Sequence, residues 1–266
     1  MEYPGVDRPG ESTDDHIEPL FYQARTLDSG APLRLLKKGW SDFARAPVQS
    51  LSYGIGLVLF GYLLSWMPWG EGNVVMLFTL VTGFVLMGPV LAFGLYSISR
   101  QLELGLKPRI GYCIEASRTH LRNELLFALV ILVILLIWAR AASMVHVFFP
   151  VCEDLGLVGW LQFLAVGSAV GAVFAGVVFT ASAVSLPMML DRGTDAITSA
   201  LTSTNAVLKN KGVMLLWGTL IVALIVIGFA TAYLGLAVIL PLIGHATWHA
   251  YREAIPPADE EPAQSA

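Results

Sequence analysis

At 266 residues, with 56% hydrophobic and only 14% charged residues, the chain lies far outside the composition of soluble domains. The net charge of −4 comes largely from the two ends, and no basic footprint exists that would point to nucleic acid. Apolar runs long enough to cross a hydrocarbon core, about 20 helical residues each, separate short clusters of charge. The chain therefore divides into an acidic, disordered N-terminal tail over 1–30, one membrane domain over 31–254, and a disordered tail over 255–266. No secretory signal peptide is visible, so the first apolar run, beginning near Val48, is expected to serve as both targeting signal and first span.

From Leu33 a helical pattern sets in, with Leu33, Leu36, Trp40 and Phe43 on one face and Arg34, Lys38, Asp42 and Arg45 on another, ending at Pro47. A short basic amphipathic helix directly before a span is expected to lie in the membrane interface. The pattern returns before the third span (Ile110, Ile114, Leu121) and before the fifth (Ile197, Leu201, Thr204, Leu208). The expected fold class is thus an all-α, six-span bundle built from three units, each an interfacial helix followed by a two-span hairpin.

The spans fall at about 48–67, 74–98, 124–148, 157–189, 213–231 and 234–250. Between Gly212 and Tyr251 the only ionisable side chains are two histidines. A single helix over that stretch would be about 60 Å long, twice the hydrocarbon thickness. Two spans turning between Gly228 and Gly235 fit better. Lys and Arg gather before the first span, in the second and fourth loops and at Arg252, which by the positive-inside rule puts both termini in the cytoplasm. Trp66, Trp69, Trp138 and Trp160 are expected near the outer boundary, and Trp40 and Trp248 near the inner one.

The even-numbered spans share a design in which a proline precedes a basic exit residue: Pro89 with Arg100, Pro187 with Arg192, Pro241 with Arg252. Proline removes a backbone hydrogen bond, so Pro89, Pro187 and Pro241 are expected to bend their helices. The functional reading is a cytoplasm-facing vestibule near Tyr96, Asp191, His245 and His249; the plainer one is that proline loosens helices that angle toward the interface. His245 and His249, four apart on one face, are weak metal candidates lacking further ligands, and hydrogen bonding is the favoured role. Arg140 stands alone in the outer half of span three, where it is expected to snorkel or to pair with Glu71, Glu153 or Asp154. Gly167, Gly171 and Gly176, with Ser168, Ala172 and Thr180 beside them, mark span four as the helix around which others pack. Cys113 and Cys152 fall on opposite sides of the membrane in this topology and form no pair.

Three stretches resemble a family of uncharacterised prokaryotic integral membrane proteins, the domain of unknown function 2189: Gly39-Trp-Ser-Asp-Phe-Ala-Arg-Ala-Pro47 with Ser52-Tyr-Gly54; Gly88-Pro89 through Gly94, Tyr96, Ser99, Arg100 and Glu103; and Leu240-Pro-Leu-Ile-Gly-His-Ala-Thr-Trp-His-Ala-Tyr-Arg252. The resemblance implies a bacterial inner-membrane protein of unknown activity over residues 30–255. Some members carry the label of a cytochrome c oxidase subunit. A catalytic oxidase centre needs several histidines at compatible depth, and these are lacking. No nucleotide loop, nucleophile elbow or metalloprotease motif occurs, so neither an enzyme nor a cofactor is expected. The leading expectation is a non-enzymatic protein acting by helix packing with membrane lipid, other membrane proteins or a second copy of itself. The alternatives are a small-solute permease or channel and an accessory respiratory subunit.

Overall fold

The computed structural model describes residues 20–148 and 156–257, and within them every regular element is a helix. Eleven follow in chain order: α1 (Ala31–Arg45), α2 (Pro47–Gly70), α3 (Val74–Leu86), α4 (Gly88–Leu91), α5 (Phe93–Glu103), α6 (Ile110–Phe148), α7 (Leu157–Ser182), α8 (Ser185–Arg192), α9 (Ala196–Lys209), α10 (Lys211–Ala230) and α11 (Leu236–Ala254). Four stretches are long and apolar enough to cross a membrane: Pro47–Gly70, Arg122–Val145, Leu157–Arg192 and Lys211–Ala230; Met76–Leu86 is a shorter apolar helix.

The run from Gly212 to Tyr251 does divide. Helix α10 ends at Ala230, and a tight turn with left-handed backbone at Ala232 and Tyr233 leads into α11. Such a conformation costs energy in a residue with a Cβ, and α2 holds it in place. The hydroxyl of Tyr62 donates to the Ala232 carbonyl, and Ser65 Oγ lies 2.8 Å from the Tyr233 hydroxyl. The second unit differs from expectation. Its amphipathic and apolar parts are one continuous helix, α6, about 58 Å long at 1.5 Å per residue, rather than an interfacial helix and a separate span.

Proline acts differently in the three positions. Pro89 opens the short helix α4, with breaks at Met87 and Ala92 on either side. The second break frees the Leu91 carbonyl, because the Leu95 amide donates to Ala92 instead; the Tyr53 hydroxyl takes it up at 2.7 Å. Pro187 follows a break between α7 and α8, where Ser203 of α9 donates to the Thr180 carbonyl at 2.8 Å and Ser185 Oγ reaches the carbonyls of Ala181 and Ser199. Helix α11 runs through Pro241 without interruption. Breaks thus accompany two of the three prolines. Side chains from neighbouring helices supply the hydrogen bonds that water cannot supply inside a membrane.

The interfacial helices present their faces in an unexpected order. In α1, Leu35, Gly39 and Asp42 face the protein, whereas Leu33 and Trp40 are 70% and 53% exposed and Trp40 stacks on Phe43. In α9 the inward face is Thr198, Ser199, Thr202, Ser203 and Ala206, and Ile197, Leu201 and Leu208 point away. In α9 the apolar stripe meets the surroundings, and small or hydroxyl side chains meet the protein. That order suits a helix lying on hydrocarbon, where the apolar face gains nothing by turning inward. The equivalent stripe at Ile110, Ile114 and Leu121 lies outside the described side chains.

Residues 20–30, assigned above to a disordered tail, are bound. The amides of Tyr22, Ala24 and Leu27 donate to the side chains of Thr202, Asn205 and Asn210, and the Arg25 amide donates to the Ala254 carbonyl. This strap has no helical periodicity because its partners are side chains of α9, not its own backbone. At the other end of the chain Ile255 is buried. Residues 1–19 and 258–266 are outside the described residues, as are Cys152, Glu153 and Asp154 and the side chains of Cys113 and His146.

Helix α11, not α7, is the centre of the fold. It packs against α1, α2, α5, α8 and α10 and buries Leu236, Pro241, Gly244, His245 and Trp248. Leu157–Arg192 is the least buried of the four long apolar stretches. A Cβ added to Gly167 or Gly176 would meet nothing within 4 Å, and one on Gly171 would make ordinary contact with Trp138 at 3.5 Å. The small-residue stripe thus has space beside it instead of a helix. Close approaches occur elsewhere. A Cβ on Gly54 would stand 2.0 Å from the Ala237 carbonyl oxygen, and one on Gly39 would stand 2.8 Å from the Ala246 nitrogen. The Ala237 carbonyl is the one that Pro241, four residues on, cannot bond, so α2 approaches at the point where α11 has a free acceptor.

Candidate functional site

The three quoted stretches lie far apart in sequence and meet in one polar seam at the basic end of the bundle, around α11. His245, fully buried, has Nε2 2.9 Å from Ser50 Oγ and Nδ1 2.8 Å from Ser99 Oγ. One turn later, His249 Nε2 lies 2.9 Å from Asp42 Oδ2. Ser99 also hydrogen-bonds Asp42. A carboxylate only accepts, so Ser99 donates to Asp42 and accepts from Nδ1–H of His245, whose Nε2 accepts from Ser50. The result is a closed chain of bonds running α2–α11–α5–α1 and back to α11. Burial alone would raise the Asp42 carboxyl, but the hydrogen bonds from His249 and Ser99 outweigh it and hold it below the ordinary carboxylate value.

A second network adjoins the first. Asp191 receives the Tyr251 hydroxyl at 2.7 Å, Arg252 at 3.2 Å and Arg100 at 3.4 Å, while Arg192 Nε donates to the Tyr251 oxygen at 3.2 Å. Arg252 also pairs with Glu103 at 2.8 Å, and Glu103 accepts from Trp248 Nε1 at 2.9 Å. The three basic residues that follow the prolines therefore converge. Glu253 ties the same end to α1 through Arg34 and Lys38 at 2.9 and 2.7 Å.

Tyr96, Asp191, His245 and His249 do not share one open space. Tyr96 and His245 are buried, and Asp191 and His249 belong to different bonded networks. His245 offers no free nitrogen to a metal, and among the described residues no group of three or more His, Cys, Asp or Glu is arranged to hold one. Arg140 is exposed and makes no ion pair among the described residues. Trp248 is buried on Glu103 and Trp138 is buried against Phe174, whereas Trp66 and Trp69 are 81% and 77% exposed. Ser50, Ser99, Asp42 and Glu103 were not singled out as site residues by the sequence. The signal for them was the polar, small-residue character of the three stretches, which periodicity alone does not rank.

The space in the fold lies elsewhere. A crevice of about 700 Å³ is bounded by α3–α5, α7, α10 and α11. Tyr96 lines it, but Asp191, His245 and His249 do not. Its walls are overwhelmingly apolar, from Phe84 and Leu95 to Trp217, Phe229 and Leu240. The hydroxyls of Ser182, Thr219 and Thr247 turn back to the carbonyls four residues earlier on their own helices, at 2.6, 2.8 and 2.8 Å. They offer little to a polar solute.

Residues 77–191 match the family described as "Predicted integral membrane protein (DUF2189)". Of the three stretches that meet at α11, the one from Gly88 to Glu103 lies within the matched region. No curated protein and no solved structure matches the chain.

Proposed function

We propose that this integral membrane protein is non-enzymatic and acts by packing against lipid or other membrane proteins, as a six-span bundle of the bacterial inner membrane with both termini in the cytoplasm. The two further spans would be α3–α5, interrupted at Pro89, and α11. One observation carries the reading: a large crevice in the fold is apolar, while the polar side chains of the seam around α11 are spent on one another. A permease needs polar groups that a solute can reach at mid-membrane. Here the hydroxyls of Ser182, Thr219 and Thr247 along the crevice are turned to their own backbone.

The test is purification of the full chain in mild detergent, with identification of what comes with it. Lipid or a membrane protein retained at constant ratio supports the reading. Saturable solute uptake in proteoliposomes would replace it with a permease, and stoichiometric haem with a respiratory role. A cytoplasm-only reporter should be active after Ala266 or near Lys107 and silent near Glu71; activity near Glu71 would overturn the orientation.

A further inference from the structure

The crevice has one charged residue in its wall, Lys211, the first residue of α10. From there the lining continues along α10 to Phe229, about 27 Å at 1.5 Å per residue, close to the full height of a hydrocarbon core of about 30 Å. The exposed faces of Ala172 and Gly176 on α7 and of Leu215 and Val222 on α10 border it, so it opens sideways. The two helices barely meet there, and a Cβ on Gly218 would still stand 3.8 Å from the Phe179 ring. Its volume of about 700 Å³ falls in the range of about 300–1,000 Å³ in which proteins enclose small molecules.

Of the lysines at this end, Lys211 alone lines the crevice. Lys38 pairs with Glu253, and Lys209 donates to the Ala24 carbonyl. Lys211 is exposed and makes no hydrogen bond or ion pair among the described residues. An unpaired ammonium at the mouth of a tall, apolar, side-opening crevice matches a molecule with an anionic head and hydrocarbon tails.

We propose that the crevice between α7 and α10 binds an anionic phospholipid, its acyl chains along α10 and its phosphate at Lys211. The proposal rests on the lipid-packing reading above and adds the ligand class and its place.

The experiment is native mass spectrometry of the full-length protein in mild detergent, offered equimolar phosphatidylglycerol and phosphatidylethanolamine with the same acyl chains. The phosphatidylglycerol adduct should exceed the other by on the order of fivefold, the discrimination expected of one basic residue near a membrane surface. Lys211→Gln should bring the two near parity while total lipid retention holds. Gly176→Leu, which fills open space in the wall, should reduce retention of both. Parity in the unaltered protein, or a preference that survives Lys211→Gln, overturns the proposal and leaves the lipid-packing reading standing. Retention of no lipid at all removes the proposal together with the lipid half of that reading.

Discussion

The seam around α11 and the gap between α7 and α10 are both rich in small residues, yet they are opposites. At α11, Gly39, Gly54 and Gly244 each face another element so closely that a Cβ would stand within 3.0 Å of it. Beside α7, Gly167 and Gly176 face nothing. Small residues permit close approach but do not bring it about. In the seam a hydroxyl pair for His245 and a carboxylate for His249 bridge the helices. In the gap no such groups exist, so the helices stay apart and the space between them is apolar.

The largest test of that contrast is Gly54→Ala. A rigid backbone carbonyl at 2.0 Å from the new Cβ cannot move aside like a side chain, so α2 must shift. The expected loss is about 3 kcal/mol, the upper part of the usual overpacking range. Gly176→Ala should cause no loss of thermal stability in detergent. Equal Tm values for both variants would erase the distinction between the two regions.

Next in size is His245→Ala. It leaves the Ser50 hydroxyl without its partner beside a void while Ser99 keeps Asp42, and an orphaned buried hydroxyl costs about 1–3 kcal/mol. Substituting Ser99→Ala in the same background should then cost less than it does alone, because the partner is already gone. Strict additivity of the two changes would show that the bonds seen at His245 are not coupled.

The pH response is smaller and has a definite sign. Asp42 and Glu253 are both held below their ordinary values of 3.8 and 4.5, in each case against burial, by hydrogen bonds from His249 and Ser99 and from Arg34 and Lys38 respectively. A depressed carboxyl contributes stability that is present above its unfolded value and is lost as the pH falls through its folded value. Thermal stability should therefore drop on acidification below about pH 4.5, and less steeply in Asp42→Asn. That variant leaves nothing at Asp42 to protonate. An unchanged acid limb in Asp42→Asn would remove the seam from the acid response.

The smallest expected effect is Gly167→Ala, predicted to raise stability slightly. Glycine in a helix interior costs roughly 0.5–1 kcal/mol relative to alanine, and the site has room. A clear loss of Tm would reveal a contact that the fold does not show, such as a second copy of the chain against α7.

Much of this was legible from residue order. The forty-residue stretch without Lys, Arg, Asp or Glu from Gly212 to Tyr251 had to turn, and it turns at Ala232 and Tyr233. The three stretches with unusual polar and small residues come together, as one would expect of groups that need partners away from water. What stayed hidden was which face of each helix meets which neighbour. In α1 and α9 the periodicity marks the face turned away from the protein, since hydrocarbon and protein core are equally apolar and only the polar side is selective. In α7 the glycines signalled a capacity for contact, and no periodic pattern reveals whether a partner is there to use it. The strap at residues 20–30 was invisible for a further reason: its order resides in Thr202, Asn205 and Asn210, at the far end of the chain.

That strap has a consequence for how the molecule is made. The Tyr22 amide waits for a hydroxyl 180 residues later, and at about 5–20 residues per second of synthesis that interval is roughly 9–36 seconds. By its later part the first hairpin is out of the ribosome while the groups that fasten the N-terminal segment do not yet exist. The helix that completes the seam, α11, emerges later still. Closure of the basic end thus comes late in biogenesis, and a chain interrupted before α9 lacks both of its clasps.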